Sequence, residues 1–252
     1  MLSRLAESHF VSRTLILWTG WFAILLIWAG YTGEQSDARL TFSFAFLVVV
    51  IVVLVAANGA ARKPYPLRSA LFTGLIGLAV VVGLVMIPLM EPILSWLAGG
   101  ILVVVSARLG AALGSEIQES RHLWPLIIVA VCFDLWSVTA PDGVSQQMVA
   151  DQTVVGIGAV LTLAIPVPGR GVQPILGVGD VVFSAFLMGA VTRLGLPARR
   201  ALIGQALGYG LCLVTLLVVA VPIPALVFVA PACGLSLTNT IRPRLLDILG
   251  AF

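Results

Sequence analysis

The sequence predicts an all-α polytopic membrane protein with about eight transmembrane helices. Of its 252 residues, 60% are hydrophobic and only 10% are charged, and the mean hydropathy is +1.12. A soluble domain of this length has too little interior to bury so much apolar surface, so lipid must surround most of the chain. The net charge of +3 and the absence of a long basic run exclude a nucleic-acid-binding protein.

Eight apolar stretches have about the 20 residues that a helix needs to cross the hydrocarbon core. They are 14–31, 41–57, 69–90, 93–114, 123–140, 174–193, 200–220 and 222–240. Between the third and fourth stretches, Glu91 and Pro92 predict a tight turn, because proline resists the continuation of a helix. The glycine pairs Gly110/Gly114 and Gly204/Gly208 have the spacing that lets two helices approach closely.

The basic residues predict the orientation. With eight spans, twelve of the fourteen lysines and arginines fall on one side, and only Arg39 and Arg170 fall on the other. The side rich in basic residues is cytoplasmic by the positive-inside rule, so both termini are predicted to be inside an inner or plasma membrane. A ninth span at 154–168 would weaken this asymmetry to eight against six. That stretch is therefore predicted to be an external hairpin, strand or interfacial segment.

Within one integrated membrane domain, residues 1–115 are predicted to be a scaffold of four helices. Residues 116–252 are predicted to be a catalytic core of four helices with an external segment at 142–173. The lipid bilayer is one predicted partner. Nothing in the sequence indicates a cofactor or a metal site, and the oligomeric state stays open.

Two aspartates lie inside predicted spans, whereas most other acidic residues lie in predicted loops. Asp134 lies in the fifth span and Asp180 in the sixth. A carboxylate within a span costs at least about 2.5 kcal/mol on insertion scales, so its presence indicates a function. Each aspartate is six residues from the external end of its predicted helix, which places both about 9 Å below that end.

Two antiparallel helices can therefore hold the two carboxylates side by side, toward the external leaflet. Gly179 leaves room beside Asp180, and Gly177 allows the helix to unwind or another backbone to approach. Adjacent carboxylates share one proton, because both cannot ionise cheaply. This is the chemistry of aspartyl proteolysis, in which one group activates water and the other binds the substrate carbonyl. Two polar residues that join helices, or a proton relay, fit the same pair.

Three motifs resemble those of the presenilin and signal peptide peptidase family of GxGD intramembrane aspartyl proteases. They are Phe133-Asp134, Gly177-Val178-Gly179-Asp180 and, opening the last span, Pro224-Ala225-Leu226. The resemblance covers roughly residues 93–252. It implies that Asp134 and Asp180 are the catalytic pair and that Phe133, Gly177 and Gly179 support them.

The resemblance also implies where the substrate binds. Pro224, Ala225 and Leu226 would lie beside the aspartates and shape the substrate site. In the family, a strand before the GxGD helix pairs with the unwound substrate, and the stretch 161–168, with Leu163, Ala164 and Ile165, is the expected counterpart. The implied substrates are transmembrane segments or remnant signal peptides.

The sequence departs from the family at two points. Phe133 stands where the family usually has tyrosine, and eight spans are predicted where the family typically has nine. The predicted orientation is that of signal peptide peptidase and opposite to that of presenilin. Prepilin peptidases also have a GxGD motif, but they typically carry a lysine two residues after it, where this chain has Val182. A proton-coupled transporter or channel, and a catalytically silent homologue, also stay open.

Overall fold

A computed structural model of the chain describes seven parts of it. They are residues 2–32, 38–62, 66–85, 91–140, 162–167, 171–219 and 224–249. The described part is mostly helical. Its α-helices are α1 (Leu2–Thr32), α2 (Ala38–Ala61), α3 (Leu67–Val85), α4 (Glu91–Ser115), α5 (Leu123–Thr139), α6 (Val178–Arg193), α7 (Ala198–Val219) and α8 (Leu226–Leu249).

The eight helices occupy the eight predicted apolar stretches. Five segments are long and apolar enough to cross a membrane, four within single α-helices and one formed by α5 with the preceding 3-10 helix Ser120–His122, which supports a membrane-embedded protein. These segments are Thr41–Ala61, Leu67–Leu84, Trp96–Ser115, Ser120–Thr139 and Ala198–Val219. The count of eight spans and the orientation stay predictions. Residues 86–90 lie outside the described part. The turn predicted at Glu91 and Pro92 is wrong, because both residues are in the first turn of α4, where proline is tolerated.

Two strands precede α6. Strands β1 (Thr162–Val167) and β2 (Gly171–Gly177) form an antiparallel hairpin, with Leu163 opposite Leu176 and an irregularity in the register after Leu163. The strand predicted in the stretch 161–168 is thereby confirmed. Most of the external segment 142–173, including residues 142–161, lies outside the described residues.

The hairpin corrects the predicted start of the sixth span. Residues 174–177 were predicted to be helical, but they belong to β2, and α6 begins at Val178. Pro174 lacks the N–H of an ordinary helical residue, and Gly177 has extended backbone angles (φ −70°, ψ 145°). The strand therefore leads directly into the helical turn that carries Asp180.

The glycine pairs lie at close contacts between helices, as predicted. A methyl group added at Gly110 or Gly114 of α4 would collide with the backbone of α6, at the carbonyls of Val182 and Phe186. A methyl group at Gly208 of α7 would lie 2.5 Å from the Cα of Val229 in α8. Because these positions have no side chain, α4 can pack closely against α6, and α7 against α8.

The helices of both halves share one hydrophobic core. Buried residues of α1, α2 and α4 pack in the same cluster as buried residues of α6, α7 and α8. In the N-terminal half, Trp18 of α1 lies against Gly99 and Gly100 of α4 and donates its indole N–H to the carbonyl of Trp96, 2.8 Å away. Helices α3 and α5 lie at the outside of the bundle: α3 packs chiefly against α4 and α5 against α8, and both leave most of their surface exposed.

Candidate active site

Asp134 of α5 is bound to the beginning of α8. The backbone N–H of Leu226 donates a hydrogen bond to Oδ2 of Asp134, over 3.0 Å. The carbonyl of Ala225 accepts the N–H of Val229, so Leu226 is the first residue of the helix and its own N–H has no partner within the helix. The carboxylate of Asp134 fills this position and lies at the positive end of the α8 dipole.

Asp180 occupies the corresponding position on its own helix. It is the third residue of α6, and its Oδ2 accepts the N–H of Gly177, the residue that caps the helix, over 3.2 Å. The predicted depth of six residues within the helix is wrong for Asp180, because β2 takes the place of the expected first turn. Its carboxylate too therefore lies at a helix N-terminus.

The fold brings the two carboxylates into one region. They are close enough for the charge of Asp134 to act on Asp180. The two carboxylates are not brought near each other by packing of α5 along α6. Instead α5 packs against α8, α8 against α7, and α7 against α6. The pair therefore depends on the arrangement of four helices, and the N-termini of two of these helices point at it.

The two glycines of the GxGD motif have different surroundings. A methyl group at Gly177 would lie 3.2 Å from Oδ2 of Asp180, so glycine leaves space for the carboxylate that its own N–H binds. A methyl group at Gly179 would meet nothing within 4 Å, and this residue is exposed. As expected, Gly177 lies before the helix with extended backbone, and the backbone of β1 approaches it at Thr162, while the open space is beside Gly179.

The Pro-Ala-Leu motif lies at the beginning of α8, next to Asp134. Pro224, Ala225 and Leu226 are all buried, and Leu226 is bonded to Asp134. Residues 220–223 lie outside the described part. The backbone of the motif therefore binds Asp134 of α5, and the motif begins α8.

Other predicted site residues are not brought to the carboxylates in this way. Phe133 lies on the exposed face of α5, where the residue is 64% exposed and its ring lies beside that of Trp136. Leu163 is fully buried in the core, so its side chain does not form an accessible substrate surface. Ala164 is half-buried opposite Pro174, and Ile165 is opposite Gln173, with its side chain outside the described part.

Sequence reasoning missed three polar residues behind Asp180. Tyr209 and Gln205 of α7 and Ser184 of α6 are all fully buried. The hydroxyls of Tyr209 and Ser184 are 2.8 Å apart, and Tyr209 also donates to the backbone carbonyl of Asp180, over 3.4 Å. The signal was available in the sequence, since Gln205 and Tyr209 are one helical turn apart on the same face of an apolar span.

Comparisons with protein-family models, with curated proteins and with solved structures found no match for this chain. The interpretation of the site therefore depends on its residues and their geometry. Two interacting carboxylates, each bonded to a backbone N–H at a helix N-terminus, can hold one proton between them and move it. A set of three metal-binding side chains was not found among the residues that the structure describes.

Proposed function

We propose that the protein is an intramembrane aspartyl protease that hydrolyses peptide bonds within transmembrane segments or remnant signal peptides. The observation that carries this proposal is that the carboxylates of Asp134 and Asp180 lie within electrostatic reach of each other, each bonded to a backbone N–H where a helix begins. Two helix N-termini favour a single negative charge, whereas repulsion disfavours two adjacent charges. A pair with one proton is what aspartyl proteolysis requires.

The proposed reaction uses the pair as base and acid. The ionised carboxylate takes a proton from water, and the water oxygen bonds to the carbonyl carbon of the peptide. The protonated carboxyl group donates its proton to the carbonyl oxygen, which gives a tetrahedral intermediate. Collapse of this intermediate breaks the C–N bond, the nitrogen takes the proton from the first carboxyl group, and the second carboxyl group regains its own. The products are a carboxylic acid and an amine.

The hairpin supports a route by which a substrate reaches the pair. A transmembrane helix must lose its own hydrogen bonds before it can be cleaved, and a strand edge replaces them. Strand β2 runs directly into the turn that carries Asp180. Among the described residues β2 pairs only with β1, so it keeps one outer edge. A peptide bound on this edge would be led toward the carboxylates.

The test is cleavage of a model transmembrane peptide by the purified protein in detergent and in liposomes. Asp134→Asn and Asp180→Asn should each abolish cleavage while the protein stays folded by thermal unfolding. Glu119→Gln is the matched control, since Glu119 forms an exposed ion pair with Arg121 before α5. Undiminished proteolysis by either asparagine variant would refute the proposal.

The same preparation separates the proposal from its alternatives. A transition-state mimic of aspartyl proteolysis should block cleavage. Mass spectrometry of the products should place the cut within the apolar part of the peptide, whereas a prepilin-peptidase-like enzyme would cut at its cytoplasmic edge. A transporter would acidify or alkalise liposomes in response to an ion gradient and would leave the peptide intact.

A further inference from the structure

Helix α7 binds one turn of α6 through polar side chains. Gln205 donates its side-chain N–H to the carbonyl of Ser184, over 3.3 Å. One turn later, the Tyr209 hydroxyl is bonded to the Ser184 hydroxyl and donates to the carbonyl of Asp180. Asp180 and Ser184 are four residues apart, so these bonds span one turn of α6, beginning at the residue that carries the carboxylate.

The hydroxyl protons can be arranged so that each bond has a donor. If Ser184 donates to the oxygen of Tyr209, the proton of Tyr209 is free to point at the carbonyl of Asp180. Both side chains are fully buried, and a buried polar group is tolerated only where it is hydrogen-bonded. The hydroxyls of Tyr209 and Ser184 are therefore paired with each other, and Gln205 adds a bond to the backbone of the same turn.

The ring of Tyr209 is packed between neighbouring helices. Phe46 of α2 packs edge-on against it, with ring centroids 6.3 Å apart. The neighbouring Gly208 contacts the backbone of α8. The Tyr209 hydroxyl is 3.4 Å from the backbone carbonyl of Asp180, so it lies in the region of the pair. A phenylalanine would fill the same core space, so packing alone does not explain the hydroxyl.

We propose that Tyr209 is a positioning residue for Asp180: its hydroxyl fixes the first turn of α6 and thereby the direction of the Asp180 carboxylate. Ser184 is the second member of this clamp. The inference rests on the proposed protease function and adds to it a residue outside the three motifs. Tyr209 acts through the backbone of Asp180 and does not take part in proton transfer.

The test is the kinetics of Tyr209→Phe, which keeps the ring and removes the hydroxyl. Loss of one buried hydrogen bond should lower kcat about fivefold to tenfold, with KM unchanged, because the substrate binds elsewhere. Affinity for a transition-state mimic should fall by a similar factor, which gives a readout that does not need turnover. A purely structural role would lower the unfolding temperature and leave kcat and inhibitor affinity unchanged.

Two further variants make the result specific. Thr215→Val is the matched control on the same helix, since among the described residues its hydroxyl bonds only to the carbonyl of Leu211 one turn earlier and the residue is outside the clamp. It should retain the wild-type kcat. Ser184→Ala should lower kcat as Tyr209→Phe does, and the double variant should be no slower than the slower single variant, because both remove one clamp. Additive losses would overturn the shared role.

Failure of this inference can be told from failure of the proposed function. If both asparagine variants of the aspartates are inactive while Tyr209→Phe keeps the wild-type kcat and inhibitor affinity, only the positioning role is refuted. If an asparagine variant keeps full activity, the protease assignment itself is refuted. If Tyr209→Phe does not fold, Ser184→Ala and its inhibitor affinity decide the matter.

Discussion

The N–H of Leu226 and the carboxylate of Asp134 are joined by a hydrogen bond of 3.0 Å, although 92 positions separate them in the sequence. This bond links the predicted catalytic residue of α5 to the Pro-Ala-Leu motif that begins α8. It gives the motif a physical role: the motif starts a helix at a point where the free N–H meets a carboxylate.

This relationship predicts that Leu226→Pro will impair the proposed proteolysis without unfolding the protein. Proline is well tolerated as the first residue of a helix, but it has no N–H to donate. A hydrogen bond to a charged group contributes about 1.5–3 kcal/mol, so kcat should fall about tenfold to a hundredfold. The measurement is the steady-state cleavage of the model transmembrane peptide.

Leu226→Ala is the control for this substitution, because it shortens the same side chain and keeps the N–H. It should lose stability, since Leu226 is 9% exposed, but retain most of its kcat. Equal kcat values for the proline and alanine variants would show that the N–H does not serve the reaction.

The contact between α7 and α8 predicts a difference between two neighbouring glycines. A methyl group at Gly208 would lie 2.5 Å from the Cα of Val229, whereas one at Gly210 would meet nothing within 4 Å. Gly208→Ala must push the helices apart and should destabilise the protein by about 1–3 kcal/mol. Gly210→Ala should be neutral or stabilise the helix by up to about 1 kcal/mol. Thermal or denaturant unfolding in detergent measures both, and equal stabilities would contradict the close packing.

The open space beside Gly179 predicts a loss of activity without a loss of stability. A methyl group added at Gly179 would meet no other atom within 4 Å, so Gly179→Ala should unfold at the wild-type temperature or above it. If the substrate lies beside Asp180, the methyl group collides with it. The steric cost in the transition state is about 1–3 kcal/mol, so kcat/KM should fall about tenfold or more.

Gly83→Ala of α3 is the matched control, because a methyl group there also meets nothing within 4 Å. It should keep the wild-type kcat/KM. Wild-type cleavage by Gly179→Ala would mean that the substrate approaches the pair from a different face.

The distribution of basic residues predicts that both termini are cytoplasmic. A tag at either end should therefore be protected from protease added to intact cells and cleaved once the cells are opened. Cleavage of a single terminus in intact cells would require an odd number of spans and would return the stretch 154–168 to consideration as a ninth.

The sequence by itself determined where the helices lie. A helix in lipid satisfies its own backbone, so the length and apolar character of a stretch suffice to locate it. The eight predicted stretches each contain one α-helix. The glycine pairs also predicted the close contacts correctly, because the lack of a side chain is itself the condition for approach. Two aspartates inside apolar stretches identified the candidate site for a similar reason, since a charge there is costly.

The tertiary structure decided what surrounds those aspartates. Helix α6 begins at Val178 and not at the predicted Pro174, because the preceding residues pair with β1. Such pairing depends on another segment of the chain and not on local apolar character. Tyr209 and Asp134 are likewise connected to their partners on other helices, by contacts that helix packing creates. The sequence predicted two carboxylates within membrane spans, and the fold put each at a helix N-terminus and Tyr209 behind one of them.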